Sequence, residues 1–454
     1  MIDWRRNGRR NGLTFFEQNT TKALPPPSNS HFPPRHSVRS LDPNARDLLG
    51  VAASFPQGID ERNLDWLFPT ITDRESVVNK FCVLSLAYRS NGFVTLLAPI
   101  RDYLRPQDPL SSSLLCTTRD HYFKRLSVDL HPEKPRFHEA RWIVLEDVNV
   151  EHLLDVSTST DQTKNDIWDT CYHFLEHLVW HKPRQTVLRS KIEALPDDHP
   201  FKPKCLLRLS WLFQQLGNHV ERKRLLTHTL ELERRQGNEK QVAQILRHLS
   251  DANRFLGLYE EGIRQAKEVC EIFERVENRR GQALALNTLA WLFFDDNQLE
   301  ATEDAASRGI KLVRKKGHES IVCQLHRVLG KIHRSTGENG KAIHHFQTAL
   351  EIASPLSSTD ELFWNNYNLA DLYRGEDKFD NANAHIKRAK LLVAHDTYKL
   401  AHGMKLQAFV WYQKGKLEEA KSEALHALEV YEKLGATNDA EDCREFLQKV
   451  DKAI

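Results

Sequence analysis

The 454-residue chain carries 64 Lys and Arg against 62 Asp and Glu, so its formal net charge of +2 creates no global field that would attract nucleic acid. Its seven cysteines lie far apart without a CxxC pair, which favours reduced thiols inside the cell over a disulfide framework. No apolar run approaches the roughly 18 residues that a membrane-spanning helix needs, and the N-terminus lacks a signal-peptide core, so we expect a cytoplasmic protein with no membrane partner.

Residues 1–40 are rich in proline and poor in aliphatic side chains, and they hold seven Lys or Arg against two Asp or Glu. This composition predicts a disordered, basic tail. The cluster of Arg5, Arg6, Arg9 and Arg10 is either a targeting or anion-binding arm or a solvated tail, and the second interpretation is favoured.

Residues 41–105 have a different pattern. The segments 45–55, 60–68 and 74–88 predict three helices, and the run 93–97 after Gly92 predicts a β-strand. Three helices with a short β wing predict a winged-helix-like unit. Its third helix exposes few cations, so we expect it to contact its own neighbours and not DNA.

Residues 106–202 predict a helical bridge. Amphipathic helices are expected over 113–126, 147–158 and 165–181, and the last of these with 184–195 predicts a degenerate helix pair. A proline cluster at Pro196, Pro200 and Pro203 separates the bridge from the rest of the chain.

Residues 203–436 contain six repeats of about 40 residues, each predicted to be two helices joined by a turn. The turn residues are Gly217, Gly257, Asn297, Gly337, Asp377 and Gly415, spaced by 40, 40, 40, 40 and 38 residues. Seven positions before each turn stands a small residue, where two helices must approach closely: Ser210, Ser250, Ala290, Gly330, Ala370 and Ala408. Nine positions after it, the second helices carry Leu226, Ala266, Ala306, Phe346, Ile386 and Ala424. The helix over 437–454 is expected to cap the array.

These residues resemble the tetratricopeptide repeat, because Gly330, Gly337, Ala342, Phe346 and Ala349 stand at its motif positions. The longer period, with NTLA at 287–290 and YNLADLY at 367–373, is similar to kinesin-light-chain-like repeats. Arg222 and Thr302 depart from the pattern, where Ala is usual. The resemblance implies an all-α fold, a TPR-type right-handed α-solenoid preceded by the winged-helix-like unit and the tail.

The order of segments over 41–105, with Arg101, Asp102 and Tyr103 near its end, resembles the winged-helix segment of signal-transduction ATPases with numerous domains (STAND), the NACHT and NB-ARC class, including fungal members with such repeats. No GxxxxGK[ST] loop occurs in the sequence, so we expect no nucleotide and no cofactor on this chain. The resemblance implies the sensor half of a larger switch whose nucleotide-binding core is missing here.

Helical geometry places one stripe of each first helix toward the concave side of such a solenoid. The stripe holds eight basic and two acidic residues and several aromatic ones. Since Arg, Trp and Tyr are enriched at binding hot spots, we predict a groove for an acidic peptide or protein segment. The predicted site residues are Arg247, Arg254, Asn287, Trp291, Phe294, Arg327, Lys331, Arg334, Trp364, Tyr367, Arg374, Lys405 and Tyr412.

The sequence thus favours a protein-protein interaction scaffold or sensor arm that is not an enzyme. A switch that receives its nucleotide-binding core from elsewhere is the alternative. A remote alternative is a zinc-dependent hydrolase, because residues 173–177 match HxxEH, the inverted zinc-protease pattern. The flanking Trp168, Leu178, Val179 and Trp180 show the periodicity of a packed helix, so we expect no metal there.

Overall fold

A computed structural model describes residues 38, 40–104, 113–129, 141–160, 165–313, 318–353, 359–393, 397–434 and 436–454. The described residues are predominantly helical, as the all-α fold class requires, with one small sheet near the front of the chain. The predicted tail over residues 1–40 lies almost wholly outside them. Among the described helices, none combines the length and the apolar character needed to cross a bilayer.

The front unit contains four α-helices, a 3-10 helix (Glu61–Asn63) and a three-stranded sheet. Its helices are α1 (Pro43–Ser54), α2 (Leu64–Leu67), α3 (Arg74–Val83) and α4 (Ala98–Leu104), and its strands are β1 (Ile59–Asp60), β2 (Ala87–Ser90) and β3 (Phe93–Leu96). The strand order is β1-β3-β2, and both pairings are antiparallel. Asp42 caps α1 by accepting a hydrogen bond from the Ala45 N–H at 2.8 Å.

The predicted third helix extends too far, because it ends at Val83 and not at Tyr88. Ser85 has a positive φ of 54°, which stops the helix, and β2 then pairs with β3. Asn91 and Gly92 join these strands with φ values of 52° and 81°, as a two-residue hairpin turn requires. The sequence pattern does not indicate strand β1 either, since a two-residue strand leaves no periodic signal.

The bridge consists of α5 (Ser113–Asp129), α6 (Arg141–Thr160), α7 (Asn165–His181) and the short α8 (Leu188–Ala194). The Glu146 carboxylate of α6 is buried where the front unit meets the bridge. It accepts hydrogen bonds from Asn63 Nδ2 at 2.8 Å, Tyr122 Oη at 2.9 Å and Asn149 Nδ2 at 2.7 Å. Asn149 also donates to the Gly58 carbonyl at 2.7 Å. These hydrogen bonds connect the front unit to the bridge.

The array follows as helix pairs in which the two helices of each pair pack together. The helices are α9 (Lys202–Gln215), α10 (His219–Gln236), α11 (Glu239–Phe255), α12 (Tyr259–Arg275), α13 (Arg279–Asp295), α14 (Leu299–Leu312), α15 (Glu319–Ser335), α16 (Asn339–Ala353), α17 (Thr359–Gly375), α18 (Phe379–Leu392), α19 (Thr397–Gln413), α20 (Leu417–Leu434) and α21 (Thr437–Asp451).

The six turn residues between paired helices share one backbone conformation. All have positive φ, from 56° at Asp377 to 78° at Gly337. This left-handed conformation reverses the chain after each first helix, which explains why Gly and Asn predominate among them. The small residues seven positions earlier and the second-helix residues nine positions later are all buried.

Gly330 shows why the first helices need small residues. A Cβ atom added at Gly330 would lie 2.6 Å from Phe346 Cε1, so the helix backbone rests directly on the ring. Phe346 is fully buried, which stabilises the fold by roughly 1.5–3 kcal/mol. The first turn of the array lies close to Ala436 near its end, since a Cβ atom added at Gly217 would lie 3.7 Å from the Ala436 Cα atom.

Candidate ligand-binding groove

Side chains of the predicted stripe contact one another from one first helix to the next, and we call this stripe the groove. Three of these contacts link the first helices of successive repeats. Arg254 donates to Asp295 at 2.8 Å, and Arg334 pairs with Asp371 at 2.5 Å. Asn287, which is itself buried, donates from Nδ2 to Gln324 Oε1 at 3.0 Å. Each link spans about one repeat, so the groove is held together by contacts that the helices make with one another.

Three cations surround one indole ring at the centre of the groove. The Arg254 Cζ, Arg327 Cζ and Lys331 Nζ atoms lie 5.4, 5.3 and 5.5 Å from the Trp291 ring centroid. Phe294 packs edge-on against Trp291 at 6.2 Å. We call these five residues the Trp291 cluster. Each cation is attracted by the indole face, but the three repel one another, and their positions come from the separate helices α11 and α15.

The groove cations differ in whether a carboxylate neutralises them. Arg254 pairs with Asp251 and Asp295, at 3.4 and 2.8 Å. Among the described residues, no carboxylate lies within ion-pair distance of Arg327 or Lys331, and the buried Arg327 Nε has no hydrogen-bond partner. The positive charge therefore concentrates at these two side chains, which stand one helical turn apart on α15.

Arg247 is the third such cation. Its guanidinium contacts the ring of His248, with 3.2 Å between Arg247 Nη2 and His248 Nε2. Arg334 and Arg374 differ, because both bind Asp371, with Arg374 Nη2 at 2.7 Å. Of the predicted basic site residues, Arg247, Arg327 and Lys331 thus keep their charge available to a ligand.

The surroundings of Lys331 and Arg327 disfavour the charged forms of these two side chains. Burial, reinforced by the charge of Arg327, lowers the pKa of Lys331 to about 8. Burial likewise lowers the pKa of Arg327 to about 10, although Glu361 opposes this shift. An anion placed beside these two groups would raise both pKa values, and this electrostatic gain would favour its binding.

Arg222 is a groove-supporting residue whose role was not predicted. Its side chain is fully buried where the repeat usually has Ala, and its Nη2 donates to Asp251 Oδ2 at 3.0 Å. Burial favours the neutral form of Asp251, yet Arg222 and Arg254 hold the pKa of this carboxyl well below its usual range. The departure from Ala at position 222 was the one sequence signal of this contact.

The far end of the groove is neutralised by the last helix. Lys405 is buried, and its Nζ contacts Asp439 at 3.3 Å and Asp442 at 3.5 Å, both on α21. The Tyr412 ring packs against Phe446 of the same helix at 5.6 Å. Helix α21 therefore places two carboxylates at this end of the groove. It contacts two of the predicted site residues, Lys405 and Tyr412.

The remaining aromatic site residues form a second cluster near this end. Trp364 and Tyr367 lie 5.7 Å apart, and both contact the His402 ring, at 5.4 and 6.1 Å. Burial, with the nearby Asp371 charge, raises the pKa of Tyr367 above its ordinary range. The structure thus separates the predicted site into a cationic centre and an aromatic end.

The HxxEH segment lies on α7, where its glutamate binds two other side chains. Glu176 forms an ion pair with Arg208 and accepts a hydrogen bond from Trp180 Nε1 at 2.9 Å. His177 is fully buried, and His173 Nε2 lies 3.6 Å from Asp169. Within the described ranges, no three His, Cys, Asp or Glu side chains come together as a metal site.

No protein-family model and no curated protein matches the chain. Solved structures do. A Rap protein complexed with competence and sporulation factor is 13% identical over 73% of this chain and 98% of its own, with a TM-score of 0.47. A STAND protein with a tetratricopeptide repeat sensor from Pyrococcus horikoshii is 15% identical over 92% of this chain, which spans 61% of that protein, with a TM-score of 0.47. Aspartyl phosphate phosphatase F from Bacillus subtilis is 13% identical over 74% of this chain and 91% of its own, with a TM-score of 0.42. These identities are too low to indicate a shared function.

Proposed function

We propose that this chain is a non-catalytic binding protein that holds an extended, acidic peptide segment of a partner in the groove. The observation that carries the proposal is the Trp291 cluster, where Arg327 and Lys331 are partly buried without a carboxylate partner among the described residues. A partly buried charge without an ion-pair partner is unfavourable in the free protein. An acidic ligand would remove the imbalance.

The two kinds of groove residue would contribute differently. Charged contacts give on-rate and specificity, and a solvated pair adds about 0–1 kcal/mol. An aromatic anchor adds about 2 kcal/mol or more when a ligand side chain buries it. The cationic centre would therefore select an acidic segment, while Trp291 and the cluster of Trp364 and Tyr367 would supply most of the affinity.

A peptide-array screen repeated with variants tests this assignment. We expect acidic peptides to be retained, Trp291→Ala to weaken their binding more than Lys331→Ala, and Lys331→Ala alone to flatten the salt dependence. Lys267→Ala is the matched control, since Lys267 is exposed on the second helix α12. Recovery of basic peptides, or equal binding by all variants, would show that the groove is not the site.

The front unit favours a second role. We propose that residues 41–105 form a winged-helix unit, because a helix and a strand precede two helices and an antiparallel hairpin, with sheet order β1-β3-β2. The chain would then be the sensor half of a STAND-type switch. A transcript in which a sequence encoding GxxxxGK[ST] continues in frame into Met1, or a co-purified partner that contains this loop, would support the role. Absence of the loop from both would contradict it.

A further inference from the structure

Arg327 and Lys331 offer two charges and several hydrogen-bond donors in one place. They stand one turn apart on α15, and both lie within 5.5 Å of the same indole centroid. Arg327 Nε has no partner among the described residues, and no hydrogen bond from Lys331 Nζ is formed there. Arg254 adds a third positive charge, partly neutralised, from α11, the first helix two repeats earlier.

We propose that Arg327 and Lys331 bind the dianionic phosphate monoester of a phosphorylated residue within the peptide that occupies the groove. This inference rests on the proposed function and names the group that the cationic centre recognises. A glutamate side chain would neutralise one of the two charges. A phosphate monoester carries close to two charges and three acceptor oxygens at neutral pH, which matches both cations.

The neighbouring carboxylates do not already fill this role. Asp295 binds the guanidinium of Arg254 at 2.8 Å. Glu361 accepts hydrogen bonds from Ser320 Oγ at 2.7 Å and Gln324 Nε2 at 3.1 Å. Both acids thus accept hydrogen bonds from other donors, and within the described residues neither forms an ion pair with Arg327 or Lys331.

The site also predicts how binding depends on pH. Lys331 is surrounded by Arg327, Arg334 and Arg254, with Asp295 as the opposing charge, and its burial lowers its pKa to about 8. Since only the protonated amine attracts the ligand, affinity should fall as pH rises through 8. A phosphate monoester loses its second charge below a pKa of about 6, so affinity should also fall below pH 6. The profile is expected to be bell-shaped.

Oriented decapeptide libraries provide the test. Three libraries carry a fixed central phosphoserine, glutamate or serine, and their retention on the full chain is measured from pH 5.5 to 9.5, with inorganic phosphate as a competitor. We expect phosphoserine to be preferred over glutamate by about tenfold, the equivalent of 1.4 kcal/mol. Lys331→Gln should remove that preference. Lys331→Arg should keep it and abolish the loss above pH 8, because arginine stays protonated there.

The outcomes separate the two proposals. Retention of the glutamate library without a phosphoserine preference would overturn this inference and leave the acidic-peptide groove intact. Retention of no library, or retention that Lys267→Ala alone diminishes, would overturn the groove itself. Competition by millimolar inorganic phosphate against both acidic libraries alike would identify a general anion site, which also contradicts the phosphopeptide assignment. Thermal melting of each variant confirms that the array is folded.

Discussion

Removing the Asp251 carboxylate should destabilise the array far more than removing a surface acid. Arg222 is 0% exposed, and Asp251 Oδ2 accepts from its Nη2 at 3.0 Å. The Nε and Nη1 atoms of Arg222 have no other hydrogen-bond partner in the part of the chain that the structure describes. Asp251→Ala would leave a buried guanidinium without compensation, for which we expect a loss of about 3–5 kcal/mol in the free energy of unfolding.

The converse change should be nearly harmless. Arg222→Met removes the buried charge and keeps most of the side-chain volume, while Asp251 retains its contact with Arg254 at 3.4 Å. Replacing a buried ionic group by an apolar one of similar volume is commonly neutral, or stabilising by about 1–4 kcal/mol. The double variant Arg222→Met with Asp251→Ala should therefore recover most of the stability that Asp251→Ala loses, which makes the pair strongly non-additive.

Urea unfolding followed by circular dichroism measures the change in the overall free energy of unfolding. Hydrogen exchange over α10–α12 measures the change in local stability, because repeats can open separately. Asp304→Ala is the matched control, since its ion pair with Arg308 at 3.1 Å is more than 60% exposed on both sides and should change stability by less than about 1 kcal/mol. The reasoning fails if Asp251→Ala has no larger effect than this control. It also fails if Arg222→Met is as damaging as Asp251→Ala.

Three further predictions concern pH, the end of the array and the front unit. Burial and the neighbouring His326 and His333 lower the pKa of His345 to about 4. The contribution of His345 to the free energy of unfolding should therefore be fully present above pH 6.5 and be lost as pH falls toward 4, and the melting temperature of His345→Asn should decline less over this range. Deleting 397–454 should expose the apolar flank of α17 and α18, and the truncated protein should aggregate or lose its cooperative melting transition; equal solubility would contradict this. Residues 41–200 should show no salt-sensitive duplex DNA binding in an anisotropy titration, because Arg74 and Lys80, the cations of α3, lie 3.1 and 3.8 Å from Asp65 and Asp42.

The helical array was predictable from the sequence because its causes are local. A residue that tolerates positive φ recurs every 38 or 40 positions, and apolar residues recur at helical spacing on both sides of it. The short strands β1 and β2 were not predictable in this way. They exist because β3 lies between them, a pairing that joins Ile59 to Val94 and Ala87 to Leu96.

Helical geometry also predicts from the sequence which side chains share one face of each first helix. Which of them keep their charge was decided by the tertiary structure. Asp371 neutralises Arg334, and α21 neutralises Lys405, whereas Lys331 has no such neighbour among the described residues. These contacts join residues about 34 to 37 positions apart that meet only when successive repeats stack, so no local pattern records them.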